Sequence, residues 1–243
     1  KREDILKKLE DIIRDIIDKL RRILEKVKRL NEDIIRDHMV LHEYVNAAGI
    51  TLLKRIADKS RDRELEDILR RVLEKLRRSL DKLRDTLRKL KEETDTVLER
   101  AERTLKELKD RLEKLLRDGE KVSEEDLVEA LKALIDELRK VLEDVIRVSK
   151  ELVERLLRAL REHLETNKRL VKELLDALRK TTGDDEEIKR LKEELERRHR
   201  RLEEEVERVA RELEKAHRDL ERDIRRVAEE LKKLLKKLRD DRR

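Results

Sequence analysis

The sequence predicts an all-α fold, a single-chain antiparallel up-down four-helix bundle with long helices of about 55 residues each. Three observations predict it. The 243 residues include 3 Gly and no Pro, where average usage would give roughly 17 and 12. Asn occurs only at Asn31, Asn46 and Asn167, and a sheet needs turns at short intervals that draw on these residue types. Charged residues make up 54% of the chain and hydrophobic residues 36%, with no Phe, Trp or Cys. The hydrophobic residues recur at steps of three and four almost without interruption, which is the spacing of one buried helix face.

The first helix is expected over about 3–58 from the heptad seam Leu6, Leu9, Ile13, Ile16, Leu20, Ile23, Val27, Leu30, Ile34. Its end is placed at Asp58-Lys59-Ser60-Arg61-Asp62, because Ser60 can cap the next helix and the helix lengths then match. The second, about 62–117, follows Leu69, Leu73, Leu76, Leu80, Leu83, Leu87, Leu90, Val97, Ala101, Leu108, Leu112 and Leu115. Gly119 suits the position just past its end, and Ser123 with Asp126 three residues on starts the third helix, about 123–180, as a capping-box-like pair. That helix carries Leu131, Leu134, Leu138, Val145, Leu152, Leu156, Leu160, Leu170, Leu174 and Leu178. A second Gly-plus-Asp turn, Thr181-Thr182-Gly183-Asp184-Asp185, leads to the fourth, about 185–241, with Leu191, Leu195, Leu202, Val209, Leu213, Leu220, Ile224, Val227, Leu231, Leu234 and Leu238. Each helix would be roughly 85 Å long at 1.5 Å per residue. A helix running unbroken through residues 60 to 117 would instead give an open coiled coil, and the matched lengths favour the closed bundle, read as one domain over 1–243.

Composition excludes several function classes. Without cysteine there is no disulfide and no thiolate metal site. Lys and Arg number 69 against 63 Asp and Glu, a net charge of +6 with the two signs interleaved, so the one-sided basic stripe that nucleic acid requires is missing. No apolar run approaches the ~20 residues of a membrane span, and Lys1-Arg2-Glu3-Asp4 does not begin a signal peptide. The expectation is a soluble monomer with no membrane or nucleic-acid partner, no cofactor, no metal and no catalytic residues, hence not an enzyme.

Polar residues interrupt the seams at two heights. Matching heights across antiparallel helices groups Asn31, Thr94, Ser149 and His217 in one layer, and Ser79, His163, Asn167 and His199 in another. Buried polar layers of this kind fix register, because a misaligned pairing leaves polar groups unsatisfied. A zinc site would need three or four converging ligands, and a structural network is the simpler reading.

One window departs from everything around it: Arg36, Asp37, His38, Met39, Val40, Leu41, His42, Glu43, Tyr44, Val45, Asn46, Ala47, Ala48, Gly49, Ile50, Thr51. It holds the only Met and Tyr of the chain and two of its five His, and only Arg36, Asp37 and Glu43 are charged. Gly49 costs about 1 kcal/mol relative to Ala inside a helix. With period two, the window separates Met39, Leu41, Glu43, Val45 and Ala47 from His38, Val40, His42, Tyr44 and Asn46, as a strand with one apolar face would. With period 3.6 it continues the first seam through Leu41 and Ala48, with Val45 and Leu52 alongside, while Asp37, Tyr44 and Thr51 fall at heptad positions where they make poor core knobs. His38 and His42, at i and i+4, could pair on a metal, but both come with the strand pattern.

These 16 residues resemble the eleventh β-strand of green fluorescent protein in the form used as a split-protein tag, a match that spans the window and no other part of the chain. The resemblance implies that the peptide, when extended, completes the complementing ten-strand fragment as its partner, with the residue matching Glu43 pointing inward toward the chromophore beside Met39, Leu41 and Val45. The restricted alphabet and near-ideal caps elsewhere are similar to de novo designed helical bundles, and a terminal helix carrying a foreign peptide resembles latch-and-cage switches opened by a displacing key helix. Such a chain would be synthetic, with no native compartment, and cytoplasmic when expressed. Two readings follow: a cage that hides the strand as helix, usable as a biosensor, or a rigid scaffold or fused helical-hairpin bundle carrying it as a passive tag. Ile34 and Ile35 before the window and Leu52, Leu53 and Ile56 after it, in helical phase and without a Gly/Ser spacer, favour the cage.

Overall fold

Apolar side chains at three- and four-residue spacing give each segment one face to bury, and the strong helix formers between them leave little alternative to helix. The computed structural model describes residues 2–59, 63–118, 121, 123–182 and 186–240, with side chains at a subset of positions that excludes much of the first 35 residues. It is all-α: α1 (Arg2–Lys59), α2 (Arg63–Asp118), α3 (Glu124–Thr182) and α4 (Glu186–Asp240), with no strand among the described residues. These ends lie within one or two residues of those expected from the seams and caps. The expected turns at Ser60, Gly119 and Gly183 lie outside the described residues.

The α2-to-α3 reversal is described in part. The Lys121 N–H donates to the Asp118 carbonyl at 2.9 Å. The Ser123 hydroxyl accepts from the Asp126 N–H at 3.3 Å, and the Ser123 carbonyl accepts from the Leu127 N–H at 3.1 Å. Of the two Ser123 contacts, the first satisfies one of the donors that a helix start leaves unpaired, and the second is the opening i→i−4 bond of α3.

The chain divides into two compact units, each drawing a segment from all four helices. Unit 1 comprises Lys1–Asn31, Glu92–Leu152 and Lys215–Arg243. Its core gathers Ile17 of α1, Leu105 and Leu108 of α2, Leu134 and Leu138 of α3, and Ile224 and Leu231 of α4. Unit 2 comprises Glu32–Lys91 and Val153–Glu214. Its core includes Leu53 of α1, Leu65 and Leu76 of α2, Leu170 and Leu174 of α3, and Leu195 of α4. Each such side chain contributes roughly 1.5–3 kcal/mol by leaving water. Within unit 2, Arg161 meets Glu207 at 3.7 Å and Lys168 meets Glu203 at 3.8 Å, so rising numbers on α3 face falling numbers on α4, an antiparallel pair. Exposed ion pairs of this kind are worth about 0–1 kcal/mol, so they mark register more than they hold it.

The seam of α3 is buried at all ten expected positions. In α2 and α4 most expected positions are buried, joined by Leu65, Val72, Leu98, Leu105 and Val206, while Leu73, Val97, Leu115 and Leu191 are half-buried. The window on α1 requires a correction. Of the two seam residues expected there, Leu41 is exposed and Ala48 only half-buried, and the buried positions are His42, Asn46 and Leu53. The core-facing stripe therefore runs beside the expected one. The physical reason is visible in what each rotation would bury: the expected phase carries the Asp37 carboxylate and the Tyr44 and Thr51 hydroxyls toward the core, whereas the observed phase leaves all three exposed and places Asn46 against polar groups on α3. The Thr51 hydroxyl is satisfied locally by the Ala47 carbonyl at 3.0 Å.

Gly49 lies inside α1, and a Cβ built there meets nothing within 4 Å. Gly49→Ala should therefore raise unfolding stability by about 1 kcal/mol through helix propensity alone, read as a higher denaturant midpoint at unchanged slope. A lower midpoint would contradict a helical backbone at this position.

Candidate functional site

The i, i+4 spacing on a helix puts two side chains one above the other on the same face. α1 presents His42 and Asn46 this way, and α3 presents His163 and Asn167. All four are buried, and the half-buried Ser79 of α2 completes the cluster. The Asn46 amide Nδ2 donates to His163 Nε2 at 3.1 Å. Asn167 Nδ2 donates to Asn46 Oδ1 at 2.7 Å and to His163 Nε2 at 3.2 Å. With Nε2 accepting, the His163 proton sits on Nδ1 and is donated to the Ser79 hydroxyl, 2.8 Å away. The network thus fixes a neutral tautomer.

His42 packs edge to face on His163, with ring centroids 4.5 Å apart and ring planes at 72°. It is 2% exposed, and neither ring nitrogen has a hydrogen-bond partner. Burial pushes its pKa down from 6.5 to about 4. For His163 burial acts first and the neighbouring His42 second, opposed by the Ser79 backbone, again giving about 4. Asn167 Oδ1 is likewise buried without a partner. Leaving a buried polar atom unpaired costs about 1–3 kcal/mol, so the cluster is a compromise between the window's sequence and the helix that holds it.

At its edge the window is clamped by charge. Glu43 accepts from Arg84 Nε of α2 at 2.7 Å, with both side chains partly exposed. Met39, Val45, Ala48, Gly49, Ile50 and Leu52 are half-buried, and Ile50 and Leu52 pack on the unit 2 core. Arg36, Asp37, Ala47 and Thr51 are exposed. So are Val40 and Tyr44, at 60% and 73%, and with Leu41 they are the large exposed apolar side chains among the described residues.

Of the residues expected in polar layers, Ser79, His163 and Asn167 come together, and Ser149 Oγ shares a 3.2 Å hydrogen bond with His217 Nδ1 in unit 1, where Thr94 is also buried. His199 does not join the first group. Its ring nitrogens have no hydrogen-bond partner, and Nδ1 lies 3.6 Å from its own-helix neighbour Glu203, too long for a hydrogen bond. The side chains of Asn31 and His38 lie outside the described residues, and with them the His38–His42 metal pairing. Sequence reasoning left His42 and Asn46 out of the layer. The signal lies in the expected turn at 58–62, which sets residue 42 beside residue 79 in an antiparallel pair.

Compared with known proteins, the chain matches no family model and no curated sequence.

Asn167→Ala removes both the donor to Asn46 and a donor to His163. Unfolding stability should fall by about 1–3 kcal/mol in a urea titration, and by less when Asn46 is already Ala, because only the bond to His163 is then left to lose. Equal losses in the single and double variants relative to their parents would mean the two amides are not coupled.

Proposed function

We propose that the chain is a designed cage that holds the strand peptide of residues 36–51 as helix and yields it, on opening, to the ten-strand fragment of green fluorescent protein. The observation that carries this reading is that the window is helical with His42 and Asn46 buried against α3. Complementation uses an extended backbone whose amides pair with neighbouring strands, and in α1 those amides are bonded within the helix. The two states exclude each other. Glu43, whose counterpart in the family faces the barrel interior, is held here by Arg84.

Opening needs a differential affinity. Moving a 1:99 mixture to 99:1 takes about 5.5 kcal/mol, which a key helix replacing the part of α1 before the window could supply. The alternative, a scaffold carrying the peptide as a passive tag, draws support from the exposure of Val40, Leu41 and Tyr44, which leaves part of the peptide's surface open.

Mixing the intact protein with the ten-strand fragment, beside the free 16-residue peptide, separates the two. A cage keeps fluorescence recovery at least about tenfold slower than for the peptide, since even a 1.4 kcal/mol closing bias gives that factor. Recovery as fast as for the free peptide would support the scaffold.

A further inference from the structure

Two histidine rings meet edge to face in the core of unit 2, one belonging to the caged peptide and the other to the helix that holds it. We propose that this pair is an acid-operated latch: protonation of His42 and His163 ejects the 36–51 segment from unit 2 without any displacing helix. The proposal rests on the caging reading and adds a second way to open it.

The geometry carries the inference. His163 Nε2, the atom that would take the proton, already faces two amide donors, from Asn46 and Asn167. A proton there turns two attractive contacts into donor–donor repulsion. His42 as a cation would present two N–H groups with no acceptor, since neither nitrogen has a partner now. With centroids 4.5 Å apart, two imidazolium charges would also repel in a site shielded from water.

No facing group offsets this. On α1, Glu43 is engaged by Arg84 of α2 at 2.7 Å. Four carboxylates (Glu154, Glu162 and Glu165 of α3, Glu214 of α4) and four cations (Lys82 of α2, Arg155, Arg158 and Arg161 of α3) line an open depression of about 940 Å³ at Ser79 and His163, so their charges balance. Glu203 of α4 lies with Lys168 at 3.8 Å and His199 at 3.6 Å.

The sign follows from linkage. Both groups titrate near 4 when folded and near 6.5 when released, so the helical state is fully favoured above pH 6.5 and loses ground as pH falls toward 4. At pH 5 the released state gains about 30-fold per histidine relative to pH 7.5, while ordinary carboxylates, titrating near 4, keep most of their charge.

Amide-exchange protection factors for the full chain at pH 7.5 and pH 5 test this. Residues 39–53 should lose protection by roughly 900-fold, about 30-fold for each of the two histidines, while the amides of 131–145 in the unit 1 core change less than about threefold. In His163→Gln, which cannot take the proton, the drop should shrink to that of one histidine or less. A flat response in the window, or an equal loss in both units, overturns the latch. A protein that stays dark with the ten-strand fragment at pH 7.5 yet shows a flat exchange response would refute the latch and leave the cage standing. Rapid recovery at pH 7.5 would refute the cage itself.

Discussion

A backbone amide can be paired in a helix or in a sheet ladder, but not in both at once. For residues 36–51 this constraint governs everything else, because the segment has the alternation of a strand and the flanks of a helix. In α1 its N–H and C=O groups are committed along the helix axis. The end of the window and the residues after it enforce that choice: Leu53 is among the most deeply buried side chains of unit 2, and Ile50 and Leu52 pack on the same core. A helix already built on both sides spares the window the unfavourable nucleation step that an isolated 16-residue peptide would face.

The window nevertheless fits its helix imperfectly, and the misfits share a cause. A period-two alternation puts polar and apolar groups on alternate sides, so a helix made from it cannot sort the two onto separate faces. Val40 and Tyr44 end up in solvent and His42 in the core with both nitrogens unpaired. Gly49 adds backbone entropy to the cost of the same helix. The surrounding helices offset part of this with groups matched to the window rather than with more hydrocarbon: Ser79, His163 and Asn167 engage one another and Asn46, and Arg84 engages Glu43.

Much of the fold was legible in the sequence because it rests on periodicity. The ten leucine and valine positions read along α3 are all buried, and Ser123 caps as its spacing with Asp126 implied. The pairing of Ser149 with His217, and of Ser79 with His163, followed from counting heights along antiparallel helices. The rotation of α1 was not legible, since the window contributes few hydrophobic residues to vote on a phase and its phase is set by polar partners 117 and 121 residues away. His199 was misplaced for the opposite reason: a polar residue at the right height satisfies a layer only if its ring reaches a partner, and rotation about the helix axis decides that.

The central claim is that the window is held as helix with its own His42 ring in the core against the His163 ring of α3. The most direct test is a proton NMR measurement of nuclear Overhauser effects between the imidazole protons of His42 and His163 in the intact protein near pH 7.5. Rings centred 4.5 Å apart should give a strong cross-peak, with Asn46 and Asn167 side-chain amide protons also connected to the His163 ring. A His42 ring with free-peptide shifts and no cross-peak to His163 would contradict the account, because the segment would then not occupy the core.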